Sequence, residues 1–235
     1  AAHVAATCGH VVALELLLEL RADLRAHASH GFEPIHTAAL GGHVDAAGFL
    51  IEHRADLEAG NHFGMTPLCV AVNHDRPAAV EFLLGQGAAR SCNDEGLNAL
   101  HCATVAHARP DIVRMLVDAG VSPHDGFHPR RGAPLWFLLN LLDLNYHLGR
   151  RDFSALCGHH IWDATPLMGA AMYIDVEVAS ILLRARADPD AHNAQGATAA
   201  KVAEAFGASA GVSNVVPKFL GLLSAAGRAE AALLE

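Results

Sequence analysis

A repeating block of 33 residues limits this chain more than any other feature. His3-Val4-Ala5-Ala6 returns as His36-Thr37-Ala38-Ala39, at a spacing of 33 residues. In the same register Gly9-His10 falls on Gly42-His43, Leu17-Leu18 on Leu50-Ile51, and Arg21-Ala22-Asp23 on Arg54-Ala55-Asp56. One further period brings Thr66-Pro67-Leu68-Cys69, Leu83-Leu84 and Gly87-Ala88-Ala89. The next unit reads Asn98-Ala99-Leu100-His101, Leu116-Val117 and Gly120-Val121-Ser122, with about one extra residue near Ala106–Pro110. The register returns at Thr165-Pro166-Leu167-Met168, Leu182-Leu183 and Arg186-Ala187-Asp188, and a last unit opens at Gly196-Ala197-Thr198-Ala199. A fixed period of this length is the signature of stacked units, each too small to bury its own apolar face.

The residues of one period spell out its local structure. Pro67 suits the first turn of a helix, where its missing N–H costs nothing, and Thr66 before it can cap that helix. A short helix with Ala at close-packed positions follows, and Gly-His marks a tight turn. A second helix carries the Leu-Leu pair into the core. Gly-Ala-Asp or Arg-Ala-Asp ends it, and a polar hairpin leads to the next unit. Aromatic residues are only 6% of the chain against 52% apolar, so the apolar content is mostly Ala, Leu and Val, which suits close helix stacking better than a β-sandwich.

Gly31-Phe32-Glu33-Pro34-Ile35-His36-Thr37-Ala38-Ala39 and Gly64-Met65-Thr66-Pro67-Leu68 carry a pattern that resembles the ankyrin repeat. The resemblance implies an all-α, ankyrin-type helix–turn–helix repeat solenoid with short hairpin loops and about seven units. The expected division is a truncated unit over about 1–30, then 31–63, 64–95, 96–130, a divergent unit over 131–162, then 163–195, a cap over 196–227 and a tail over 228–235. The second helix of the cap is expected over Val215–Ala226, ending at Gly227. The absence of an initiator Met leads us to expect a piece of a longer polypeptide.

The divergent unit keeps the phase of a repeat start at Pro134-Leu135, and then Trp136-Phe137-Leu138-Leu139 replaces the small Ala positions. Gly149-Arg150-Arg151 stands where the Leu-Leu segment is due. A distorted repeat with a displaced second helix is expected. Two readings stay open: drift within a tolerant stack, or a specialised contact site.

Charge and cysteine usage exclude several function classes. The net charge is -9, which opposes nonspecific nucleic-acid binding, since that affinity comes from Lys and Arg on phosphates. Five cysteines without a C-x-x-C pair do not make a disulfide framework, so a reducing, intracellular and cytoplasmic setting is expected, with an organelle left open. No uncharged apolar run reaches the ~18 residues of a membrane span.

The chain has 17 histidines, which raises the question of metal binding. The repeat phase answers most of it. In the family resembled, the histidine after Pro-Leu makes structural hydrogen bonds to neighbouring backbone, and His3, His36 and His101 hold that phase. His10 and His43 hold the turn between helices. Cys157, His159 and His160, with His147 upstream, form a local cluster whose spacing matches no known zinc site. No G-x-S-x-G elbow and no phosphate-binding G-x-x-x-x-G-K-[ST] loop is present; Gly207–Gly211 is small and flexible but lacks the Lys. No cofactor, metal or catalytic residue is therefore expected.

The resemblance implies a noncatalytic protein-binding scaffold or adaptor. Such arrays bind through their hairpin tips and the exposed side of the first helices, which together line a concave groove. Carried over by phase, the expected contact residues are His30 and Phe32 in the second unit and His62, Phe63, Met65, Asn73 and His74 in the third. Asp94 and Glu95 follow in the fourth unit, and Trp162, Met172 and Tyr173 in the sixth. The expected partner is another protein, with membership of a larger assembly left open. The alternative is a targeting module of a multidomain enzyme whose catalytic domain lies elsewhere.

Overall fold

The computed structural model describes residues 1–88, 98–127, 162–210 and 215–231. The divergent stretch from Arg131 onwards, with His147, Cys157, His159 and His160, lies outside them up to Ile161. Among the described residues there are twelve α-helices, one short 3-10 turn at Ser29–Gly31, and no strand.

The chain divides into two compact units, Ala1–Val121 and Ser122–Glu235. In the first, helices pair as α1 (Ala2–Thr7) with α2 (Val11–Glu19) and α3 (Pro34–Gly41) with α4 (Val44–Glu52). The pairs α5 (Pro67–Asn73) with α6 (Pro77–Gly85), and α7 (Ala99–Val105) with α8 (Pro110–Asp118), complete it. First helices pack on first helices along α1, α3, α5 and α7, and second helices on second helices along α2, α4, α6 and α8. The result is two helical layers with the core between them. In the second unit α9 (Pro166–Met172) pairs with α10 (Val176–Arg184), and α11 (Ala199–Ala210) with α12 (Val216–Ala231), stacked in the same way.

The local chemistry follows the repeat. Pro34, Pro67 and Pro166 each open a first helix. Thr66 and Thr165 cap theirs, accepting from the amides of Cys69 at 3.3 Å and Met168 at 3.4 Å. Small Ala38, Ala39, Ala71, Ala103 and Ala171 are fully buried in the first helices, which lets the backbones approach closely. Leu50, Leu83, Leu116 and Leu182 share one phase of the second helices and are likewise fully buried.

One feature departs from the sequence expectation. Helix α12 runs to Ala231, through Gly227 instead of ending there. Helix α11 likewise runs through Gly207 to Ala210. The surrounding alanines favour helix strongly enough to carry a glycine at about 1 kcal/mol. Gly207 also has a packing reason: a β-carbon there would collide with Val216 Cγ2.

The turns show where the chain accepts strain. Gly9 and Gly42 adopt left-handed φ angles of 71° and 79° between paired helices, and Ile174 holds the same phase at 55°. A β-branched residue is costly in that region. Burial compensates, since Ile174 is enclosed in the second unit against Gly207. After the second helices, Gly87 and Gly120 sit at 86° and 84°, and Arg21, Arg54 and Arg186 occupy that phase at 59°, 67° and 64°. A left-handed arginine costs about 1 kcal/mol, of which part returns because glycine is more disordered when unfolded. The combined Arg21→Gly, Arg54→Gly, Arg186→Gly variant should therefore gain roughly 0.5 kcal/mol per site. Thermal melts should show a midpoint several degrees higher, and an unchanged or lower midpoint would count against strain at these turns.

Candidate protein-binding surface

The hairpins between pairs are held by a recurrent set of bonds. Ala28 N–H donates to Phe32 O at 2.7 Å, Asn61 N–H to Met65 O at 3.1 Å, and Asn193 N–H to Ala197 O at 3.0 Å. Asn61 Oδ1 also accepts from the amides of Phe63 at 2.9 Å and Met65 at 3.0 Å, a side-chain turn that stiffens the loop. Asn193 Oδ1 does the same with Gln195 at 3.1 Å and Ala197 at 2.8 Å. Successive tips are joined as well: His62 N–H donates to His30 O at 2.8 Å, and Ala194 N–H to Trp162 O at 3.0 Å. The 28–32 and 61–65 tips are thus joined in the first unit, and the tips at Trp162 and Ala194 in the second.

Histidines lock the hairpins to the helices. His36 Nδ1 accepts the Glu33 amide at 3.1 Å, so Nε2 carries the proton and donates to Ala59 O at 2.9 Å and Met65 O at 3.1 Å. Burial disfavours the imidazolium and lowers the His36 pKa below its ordinary 6.5. His3 Nε2 donates to Phe32 O at 2.9 Å, and His101 Nδ1 accepts the Asn98 amide at 3.3 Å. These three are structural, in line with their repeat phase. His10 and His43 stand at the starts of α2 and α4, also as expected.

Of the contact residues expected from the repeat phase, His30, His62, Phe63, Asn73 and His74 are exposed. His30 and Phe63 come together, with ring centroids 5.5 Å apart and planes tilted by 38°. His62 lies between them in sequence and covers Gly31, where a β-carbon would meet its ring at 2.5 Å. Asn73 and His74 lie at the far end of α5, about 10 Å along the helix from its hairpin.

Phe32 and Met65 are half-buried and chiefly structural. The Phe32 ring lies 5.5 Å from the His36 ring, and Met65 supplies a carbonyl to it. In the second unit Trp162 and Tyr173 are half-buried at a hairpin tip and a helix end. Met172 does not face solvent: it is only 4% exposed, so its expected place on the contact surface is corrected. Asn73 shares that phase but stays in water. The difference follows from an apolar, adaptable side chain, and from α11, which packs on α9 and spans 12 residues against 7. Asp94 and Glu95 lie outside the described residues.

The repeat phase did not single out Glu33 and its surroundings. Glu33 is buried at the start of α3, with Arg25 Nε 3.8 Å from Oε2 and His27 Nε2 4.0 Å from Oε1. A charged residue where the other units carry Thr or Asn was the available signal. His27 also reaches the 28–32 hairpin, with Nδ1 3.4 Å from Gly31 O.

Among the described residues no group of three or more His, Cys, Asp or Glu is arranged to hold a metal ion. No described helix is long and apolar enough to cross a membrane.

Comparison with known proteins gives a consistent result. The family described as "Ankyrin repeats (3 copies)" matches residues 1–61 and 54–125. No curated protein matches the chain. Among solved structures, an ankyrin repeat domain from Acinetobacter baumannii is similar at a TM-score of 0.67 and 21% identity, over 96% of this chain and 97% of that one. A chain from the complex of a predatory endopeptidase of Bdellovibrio bacteriovorus with an immunity protein is similar at a TM-score of 0.62 and 21% identity, over 93% and 97%. A human ankyrin repeat domain reaches a TM-score of 0.53 at 28% identity, over 87% and 95%.

Proposed function

Because this chain belongs to the ankyrin repeat family, we propose that it is a noncatalytic scaffold or adaptor that binds another protein through the groove side of its repeats. Repeats of this family are generally protein–protein interaction modules and not catalysts. The observation that carries the assignment is the exposed ring pair of His30 and Phe63 on hydrogen-bonded hairpin tips. Phe63 is 40% exposed, an aromatic side chain left in water on a loop whose backbone is already fixed. A rigid aromatic anchor of this kind binds without further ordering cost, which is how a few residues come to dominate an interface. His62, Asn73 and His74 extend the surface with polar groups, and Arg25 and His27 flank it. The partner is a protein, the setting is intracellular, and the chain acts within a larger assembly.

The test is affinity capture with the wild-type chain and with a His30→Asn, Phe63→Ala variant. Asn tolerates the left-handed backbone at position 30, where φ is 61°, so the fold is preserved. Loss of an anchor worth about 2 kcal/mol should weaken the captured partner roughly 30-fold. Equal recovery by a variant with an unchanged melt would remove the tip edge as the binding surface.

A further inference from the structure

Two thiols meet inside the first unit at a phase where the neighbouring repeats use a histidine. Cys69 follows Thr66-Pro67-Leu68 and so holds in α5 the place that His36 holds in α3 and His101 in α7. Cys102 stands one residue beyond His101, at the phase of Val70. Helices α5 and α7 stack directly, and the fully buried Ala71 and Ala103 let their backbones approach closely. Across this interface the Cys102 thiol hydrogen-bonds the Cys69 sulfur. Both residues are buried, at 4% and 8% exposure, and neither is in a disulfide. The surroundings of Cys69 are polar. Thr66 accepts the Cys69 amide at 3.3 Å and also turns its hydroxyl and its own amide to the Cys69 sulfur. The Cys102 thiol and the two Thr66 donors favour the thiolate. They outweigh burial and the nearby charge of Glu58, so the Cys69 thiol is held below its ordinary 9.0. A cysteine that merely fills a core is shifted upward and is inert, which is the reverse of this arrangement.

We propose that Cys69 and Cys102 form a dithiol modification site, at which a small hydroperoxide closes a reversible disulfide between the consecutive first helices α5 and α7. The Cys69 thiolate attacks one oxygen of hydrogen peroxide. The O–O bond breaks, and the departing hydroxide takes a proton and leaves as water. The sulfenic acid that forms on Cys69 lies against the Cys102 thiol. Cys102 gives up its proton, attacks Cys69 Sγ and displaces the hydroxide, which leaves as a second water. One S–S bond has then replaced two S–H bonds, the two thiols are oxidised by two electrons, and the peroxide is reduced to two waters. A thiol reductant reverses the bond by exchange. The contact already present between the sulfurs leaves only the approach to ~2.05 Å, which short side chains on closely stacked helices permit. The bond would tie together two repeats at a spacing of 33 residues and so constrain the unfolded chain more than the folded one.

The test is treatment of the folded chain with hydrogen peroxide, in a Cys8→Ser background that removes the exposed thiol at the end of α1. The chain should lose two thiols. Non-reducing peptide maps should show Cys69 joined to Cys102, two hydrogens lighter and restored by dithiothreitol. The cross-linked chain should melt about 5 °C or more above the reduced one. Cys102→Val copies the fully buried Val70 of α5 and should leave Cys69 carrying peroxide oxygen with no cross-link. If that variant does not fold, the map of the parent chain decides alone. Cys69 oxygenated in the parent chain without joining Cys102, Cys69 joined to Cys92, or no reaction of either thiol until the chain is unfolded would each overturn the proposal. A cross-link that lowers the midpoint would overturn it as well, because the bond would then belong to a distorted stack.

Discussion

Replacing Leu83 by alanine is expected to lower stability by about 3 kcal/mol. Leu83 is fully buried on α6, between the second helices of the neighbouring pairs. Truncation removes the transfer free energy of three carbons and leaves a cavity that two fixed helices cannot close. In a stack each pair supports only its neighbours, so the loss weakens both adjoining interfaces together. The midpoint of unfolding should fall by roughly 10 °C for a chain of this size. Leu20→Ala is the control, since Leu20 is 71% exposed and should change stability by less than about 0.5 kcal/mol. Equal effects at the two sites, read from denaturant or thermal melts, would contradict the two-layer core.

The second large effect is expected at His36. His36→Ala removes one buried acceptor and one buried donor, and strands the Glu33 amide and the Ala59 carbonyl, while Met65 O keeps the Asn61 N–H. Leaving such groups unsatisfied costs about 1–3 kcal/mol each, partly relieved by water, so a loss of about 3 kcal/mol is expected. His36 also gives stability a defined pH dependence. Burial holds its folded pKa below 6.5, so on acidification the unfolded chain takes up the proton first. The contribution is complete above pH 6.5 and declines as pH falls from there through the lowered folded pKa. Melts across this window should show the wild type losing stability toward acid with a steeper slope than His36→Ala. Parallel slopes would mean that His36 is not held neutral by the fold.

Much of this architecture was legible because the repeat puts the same demand on the chain at each period. Pro67 and Thr66 read correctly as a helix start, and Gly42-His43 as a turn and a second start, because those residue types answer backbone needs that do not depend on tertiary context. The structural role of His3, His36 and His101 followed from the family resemblance, with phase picking out which histidines carry it. Phase was less reliable for exposure. Asn73 and Met172 share one position, yet one faces water and the other the core, because exposure there depends on the length of the neighbouring helix and on side-chain polarity. The phase of Phe32 allowed either an outward anchor or packing on the stack, and its half-buried ring lies 5.5 Å from that of His36. The end of α12 was misplaced because Gly227 was taken as a stop, whereas the helix runs on to Ala231.

The tip edge of the first unit is the centre of this account, and amide exchange with and without the captured partner tests it most directly. Binding through this edge should slow exchange at Phe63, Gly64 and Met65 and at the neighbouring 28–32 hairpin, with little change along α4 and α6. Protection confined to α4 and α6, with the tips exchanging as before, would place the partner on the opposite layer and contradict the account.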